Sequence, residues 1–134
     1  MKATFFKSIR FFALLFLLAI PLLNFSQNIE FTKENFPNDK DGLKAAVKNL
    51  KEGNKLYEVG TFMYSEALPF LLQANTFNPN NAALNMKIGN CYLFSSYRTK
   101  SLPFLEKAYS LDTDVDPEID YMLGQAYQLN MDWE

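Results

Sequence analysis

The chain has 134 residues, enough for one domain, and 49% of them are apolar, which supplies a core and excludes a disordered chain. Three of its 13 basic residues (Lys2, Lys7 and Arg10) and none of its acids lie in residues 1–26, so the remainder holds 10 basic against 15 acidic residues. That mildly acidic body argues against nucleic acid or an anionic membrane surface as the partner. The chain has no histidine, and so lacks the commonest general base and metal ligand.

Residues 1–26 read as a signal peptide. After the basic start, Phe11 to Leu23 (FFALLFLLAIPLL) is apolar, and Asn24-Phe25-Ser26-Gln27 turns polar with small Ser26 before Gln27. This is the layout of a secretory signal. Thirteen helical residues span about 20 Å, short of the ~30 Å hydrocarbon core. An uncleaved anchor reaching back to Phe5 is the alternative. No cysteine sits near the cleavage site to carry a lipid. The expected location is the periplasm or the periplasmic face of the outer membrane.

An extended linker is expected over residues 27–41. Beyond it the chain repeats itself. Ala67 to Ala74 reads ALPFLLQA, and 34 residues later Ser101 to Ala108 reads SLPFLEKA. Gly53, Gly89 and Gly124 form a second series, 36 and 35 residues apart. A period near 34 is the signature of tetratricopeptide repeats, each a pair of antiparallel helices. Ile88-Gly89 and Leu123-Gly124 supply the pair whose small member allows close helix approach. Tyr92 and Tyr127 follow three residues later. Ala67, Leu71 and Ala74 share one stripe by their i, i+4, i+7 spacing, as do Ser101, Leu105 and Ala108.

Five helices are predicted: about Gly42 to Glu58, Ser65 to Phe77, Ala82 to Phe94, Thr99 to Leu111, and Pro117 to Leu129 with Asp116 as N-cap and Pro117 at N1. Pro69 and Pro103 are each expected in a first turn, where a missing N–H does little harm. The fold class is all-α, a tetratricopeptide-like solenoid of about two and a half repeats over 42–80, 81–115 and a truncated 116–134. A hairpin cut in the middle leaves an apolar face uncovered. The chain is therefore expected to be part of something longer, or else to be covered by dimerisation.

The segment NIEFTKENFPNDKDG at Asn28 to Gly42, with KNLKEGNKLYE and the ALPF/LPFLEKAY pairs, resembles the N-terminal region of Bacteroidetes OmpA-family proteins. That resemblance spans essentially the whole chain. It implies a module followed by propeller-like and peptidoglycan-binding domains, in proteins some of which accompany the type IX secretion machinery. Peptidoglycan would be bound only through a domain absent from this chain.

Enzyme signals are missing: there is no phosphate loop, metal-ligand cluster or nucleophile motif, and no cofactor is implied. Cys91 reads as a small core residue, having no histidine to activate it. The acids Asp112, Asp114, Asp116, Glu118 and Asp120 lack the glycine and closing glutamate of a calcium loop. The best binding candidates recur on the first helix of each repeat. Asn54, Asn90 and Gln125 occupy equivalent positions, Lys51 and Lys87 precede the first two by three residues, and Leu50, Met86 and Tyr121 add apolar contact. Amides and lysines in a row suit an extended peptide. Alanine at Asn54 and Asn90 is expected to weaken capture of a partner without unfolding the domain. The function expected is a non-catalytic scaffold for other cell-envelope proteins or peptides. The alternatives are a regulatory or substrate-binding repeat domain of a larger envelope enzyme or sensor, and a small autonomous regulator.

Overall fold

The computed structural model describes residues 27–131. The signal-peptide reading of residues 1–26 falls outside them, as do residues 132–134. Among the described residues the protein is all-α, with five α-helices and no strand. They are α1 (Lys40–Val59), α2 (Tyr64–Phe77), α3 (Ala82–Leu93), α4 (Ser101–Leu111) and α5 (Ile119–Asn130), with short 3-10 turns at Thr61–Met63 and Arg98–Lys100. Every predicted helix is present, and each boundary lies within two residues of its expected place.

Local chemistry sets three of these boundaries. Asp39 caps α1, its carboxylate accepting from the Gly42 N–H at 2.8 Å. Gly60 ends α1 at φ 119°, a region side chains rarely enter. Asn81 caps α3 by accepting from the Leu84 N–H at 3.0 Å.

Two expectations fail. Helix α5 starts at Ile119, not Pro117, and its N-cap is Glu118 without a side-chain hydrogen bond. The Asp116 carboxylate instead accepts from the Glu118 N–H at 2.8 Å, and the Asp116 carbonyl from the Ile119 N–H at 3.1 Å. Both bonds close a turn with Pro117 second in it, where its fixed φ fits. Pro69 lies in the interior of α2, in its second turn, whereas Pro103 does fall in the first turn of α4. The N–H missing at Pro69 would have served the carbonyl of Ser65. Both residues are exposed, so water can take its place.

The most extensive helix contacts join α1 to α2 and α3 to α4. In each pair a glycine marks closest approach. A methyl group on Gly53 would meet Leu71 side-chain carbon at 2.6 Å and the Leu71 backbone N at 3.2 Å. One on Gly89 would meet Leu105 side-chain carbon at 2.6 Å and the Leu105 backbone N at 3.3 Å. The stripes Ala67-Leu71-Ala74 and Ser101-Leu105-Ala108 are fully buried. The Ser101 hydroxyl is satisfied by donating to the Arg98 carbonyl at 2.6 Å.

The core divides into two clusters around α3. Leu84, Ile88, Cys91 and Tyr92 face Ala67, Leu71 and Ala74 of α2. Met86 and Leu93 join Leu105 and Ala108 of α4 and Ile119, Met122, Leu123 and Ala126 of α5. Serving both, α3 is buried nearly all round, as a central helix should be, whereas α1 buries only Leu43, Ala46 and Gly53.

Residues 27–39 are clasped to this core. The Ile29 N–H donates to the Asn80 carbonyl at 2.7 Å, and the Ile29 carbonyl accepts from the Asn78 and Asn81 amides at 2.8 and 3.0 Å. The Asn28 side chain accepts from the Ala82 N–H at 2.9 Å. Phe31 and Phe36 pack on Phe77 at ring-centroid distances of 6.5 and 4.7 Å. The run Asn78-Pro79-Asn80-Asn81 between α2 and α3 thus holds the N-terminal segment as well as ending one helix and starting the next.

Candidate binding surface

The polar stripe expected from the sequence divides into two clefts. Leu50 and Asn54 of α1 meet Lys87 of α3 in a cleft of about 270 Å³, whose other lining includes Glu30, Phe31 and Thr32 of the N-terminal segment. The Lys87 ammonium donates to the Asn54 side-chain oxygen, Oδ1, at 2.8 Å and lies 5.4 Å from the centre of the Tyr57 ring. Burial holds Lys87 below the ordinary lysine range, and Glu58 opposes that shift. Lys51 is exposed and borders a neighbouring groove with Val47, Leu50, Asn54, Lys55 and Glu58.

Asn90 and Gln125 meet in a second cleft of about 190 Å³, with Tyr121. Its remaining lining is Thr61, Tyr64, Phe94, Glu118 and Met122. Asn90 is only 8% exposed. Its amide donates to the hydroxyls of Tyr57 at 2.6 Å and Tyr64 at 3.4 Å. Those two rings stack at 4.7 Å with planes 3° apart. Burial raises the Tyr57 phenol above the ordinary tyrosine range, and the hydrogen bond from Asn90 opposes that shift. Gln125 contributes only a 3.1 Å bond to the Tyr121 hydroxyl one turn back on α5.

Met86 takes no part in either cleft. It is 6% exposed and packs inside the α3–α4–α5 cluster, because α3 turns this side toward α5. Asn90 lines the second cleft but is largely buried, its amide engaged by Tyr57 and Tyr64. An amide held beneath two tyrosine hydroxyls is a structural hydrogen-bond centre, and alanine there leaves both hydroxyls to find other partners. Asn54 is half-buried, and its side-chain oxygen accepts from Lys87 at the first cleft.

Sequence reasoning missed four contributors. Phe31 reaches the first cleft only through the asparagine clasp, which no periodicity announces. Tyr64, Phe94 and Glu118 reach the second from helix ends and a turn, outside the repeating positions. The Asn-Pro-Asn-Asn run was the one signal in the sequence that pointed to the clasp.

Cys91 is buried, and desolvation pushes its thiol up to about 12. It is protonated at neutral pH and packs as a small apolar group. The acids after α4 act on the backbone: the Asp112 carboxylate accepts from the Asp114 N–H at 3.0 Å, as Asp116 does from Glu118. Among the described residues, no group of three or more acidic, cysteine or histidine side chains converges as metal ligands, and no helix is long and apolar enough to cross a membrane.

Compared with known proteins, the chain matches no family, no curated protein and no solved structure.

Proposed function

We propose that this protein is a non-catalytic scaffold, a tetratricopeptide-like stack of helical hairpins that holds another protein or peptide along the face shared by α1, α3 and α5. The observation that carries this reading is the repeated glycine–leucine contact. Gly53 on Leu71 and Gly89 on Leu105 have nearly the same distances, on helices whose sequences recur with a period near 34. One packing unit used twice is how a repeat stack is assembled. Two clefts along one face, each with amides, at least one aromatic ring and at least one charged group, suit an extended segment better than a small molecule.

The signal-like N-terminus supports an exported scaffold at the periplasmic side of the cell envelope. The resemblance noted above supports reading it as the N-terminal module of an OmpA-family envelope or secretion-associated protein, with peptidoglycan bound by a different domain.

Photo-crosslinking in the native host tests the binding face. A crosslinking amino acid at Asn54 or Gln125 is expected to trap a discrete envelope protein, and one at Ser110 on α4 is not. Equal capture from all three positions, or capture from Ser110 alone, sinks the proposal.

A further inference from the structure

We infer that the cleft between α2, α3 and α5 receives a lysine or arginine side chain from the partner. This rests on the scaffold reading and gives it a chemical preference. The cleft gathers three aromatic rings from three helical regions: Tyr64 of α2, Phe94 at the end of α3 and Tyr121 of α5. Glu118 stands at its edge, and no lysine or arginine lines it. Aromatic faces and a carboxylate both favour a cation, and arginine adds a flat guanidinium that stacks and donates hydrogen bonds. Ligand pockets for drug-sized molecules run to about 300–1,000 Å³. At about 190 Å³ this cleft fits the tip of a side chain.

The rings are held before any partner arrives. Tyr64 is fixed by its stack on Tyr57 and by the Asn90 amide. Phe94 meets Tyr64 edge to face at 5.8 Å. The Tyr121 hydroxyl accepts from Gln125. Little ordering entropy is then lost on binding. Phe94 and Tyr121 are nevertheless 60% and 66% exposed, an aromatic surface that the core of this chain does not use. Charge points the same way. Asp116 and Asp120 flank Glu118 in sequence, and the only basic residue from Ser101 to Met131 is Lys107. A basic side chain is the complement of that field.

The test is an NMR titration of the isotope-labelled chain with acetyl-Gly-Gly-Arg-Gly-Gly-amide, set against the same peptide carrying uncharged citrulline. The arginine peptide is expected to give saturable shifts at the backbone amides of Tyr64, Phe94, Glu118 and Tyr121. The citrulline peptide is expected to bind at least about fivefold more weakly, and Glu118→Gln and Tyr121→Ala should each weaken arginine binding about fivefold. Both positions are exposed, and unchanged circular dichroism confirms that the variants are folded. Equal shifts with citrulline, an unaffected Glu118→Gln variant, no saturation, or shifts confined to Asp112 and Asp114 would each overturn the assignment. The two readings separate cleanly. Crosslinking at Asn54 with a silent arginine titration removes the cation site alone, while a saturating titration without any trapped partner removes the scaffold, and with it the partner as the source of the cation, and leaves only the cleft's preference for arginine.

Discussion

The five residues Ile88-Gly89-Asn90-Cys91-Tyr92 of α3 and Leu123-Gly124-Gln125-Ala126-Tyr127 of α5 follow one pattern and live in different surroundings. Gly89 is closed on by Leu105, while Gly124 meets nothing within 4 Å. Asn90 is buried under two tyrosine hydroxyls, while Gln125 bonds only within its own helix. Tyr92 is 9% exposed and stacks on Phe104 at 5.6 Å, whereas Tyr127 is 44% exposed and donates to Glu106 at 2.7 Å. A repeated motif therefore fixes which side of a helix is ready for packing. Whether that readiness is used depends on what lies opposite.

The largest expected effect is at the leucines that fill the glycine positions. Leu105→Ala, in the fully buried stripe of α4, should cost about 3 kcal/mol in chemical denaturation. Gly89→Ala comes next, at about 2 kcal/mol, since the new methyl must push Leu105 side chain and backbone together. Combining the two should cost clearly less than their sum, because alanine at 105 makes room for the methyl. Strict additivity would show that the contact is not the close approach inferred here.

Asn90→Ala should cost about 1–2 kcal/mol, the penalty for leaving buried hydroxyls without their donor, while Gln125→Ala should change stability by less than about 0.5 kcal/mol. Equal losses at the two positions would break the comparison. The smallest effect, and the most diagnostic in sign, is Gly124→Ala. In open space alanine gains helix propensity, and a stabilisation of about 0.5–1 kcal/mol is expected. A loss instead would reveal that something covers α5 in solution.

Cys91 offers a directional check through pH. Folding raises its thiol from about 9 to about 12, so across that range the folded state holds a proton that the unfolded state has released. Stability should therefore fall as pH rises from 9. Tyr57, also raised, acts in the same direction above about 10, and Lys87, lowered by burial, acts in the opposite direction below about 10.5. Cys91→Ala, which gives α3 the residue that α5 has at Ala126, should flatten the alkaline decline in denaturant midpoints. An unchanged slope would place its cause elsewhere.

Helix number, helix boundaries and the buried stripes were legible in the sequence because each depends on spacing along one helix. Ala67, Leu71 and Ala74 must share a side whatever they meet. The one cap read from the sequence, Asp116, failed because two short-range options existed there, and the turn with Pro117 won over the helix start; the caps Asp39 and Asn81 went unread. The candidate binding stripe was legible as a row of positions and not as a surface. Equivalent register put Met86 beside Leu50 and Tyr121, yet α3 lies between two clusters and buries nearly every side, so Met86 went to the core.

The sequence by itself determined the period, the buried stripes and the all-helical class, since these follow from side-chain size and helical geometry, while the contacts of Gly53 with Leu71 and of Gly89 with Leu105 needed two helices to meet. Only the tertiary structure decided what each repeat position became. Three elements converge to turn Asn90 into a hydrogen-bond centre, three hydrogen bonds with the asparagine turn and one with Ala82 hold the N-terminal segment in place, and Tyr64, Phe94, Tyr121 and Glu118 meet only when α2, α3 and α5 are packed. The physical reason is range: spacing acts within a helix over a few residues, while burial and charge are set by whatever the rest of the chain brings near.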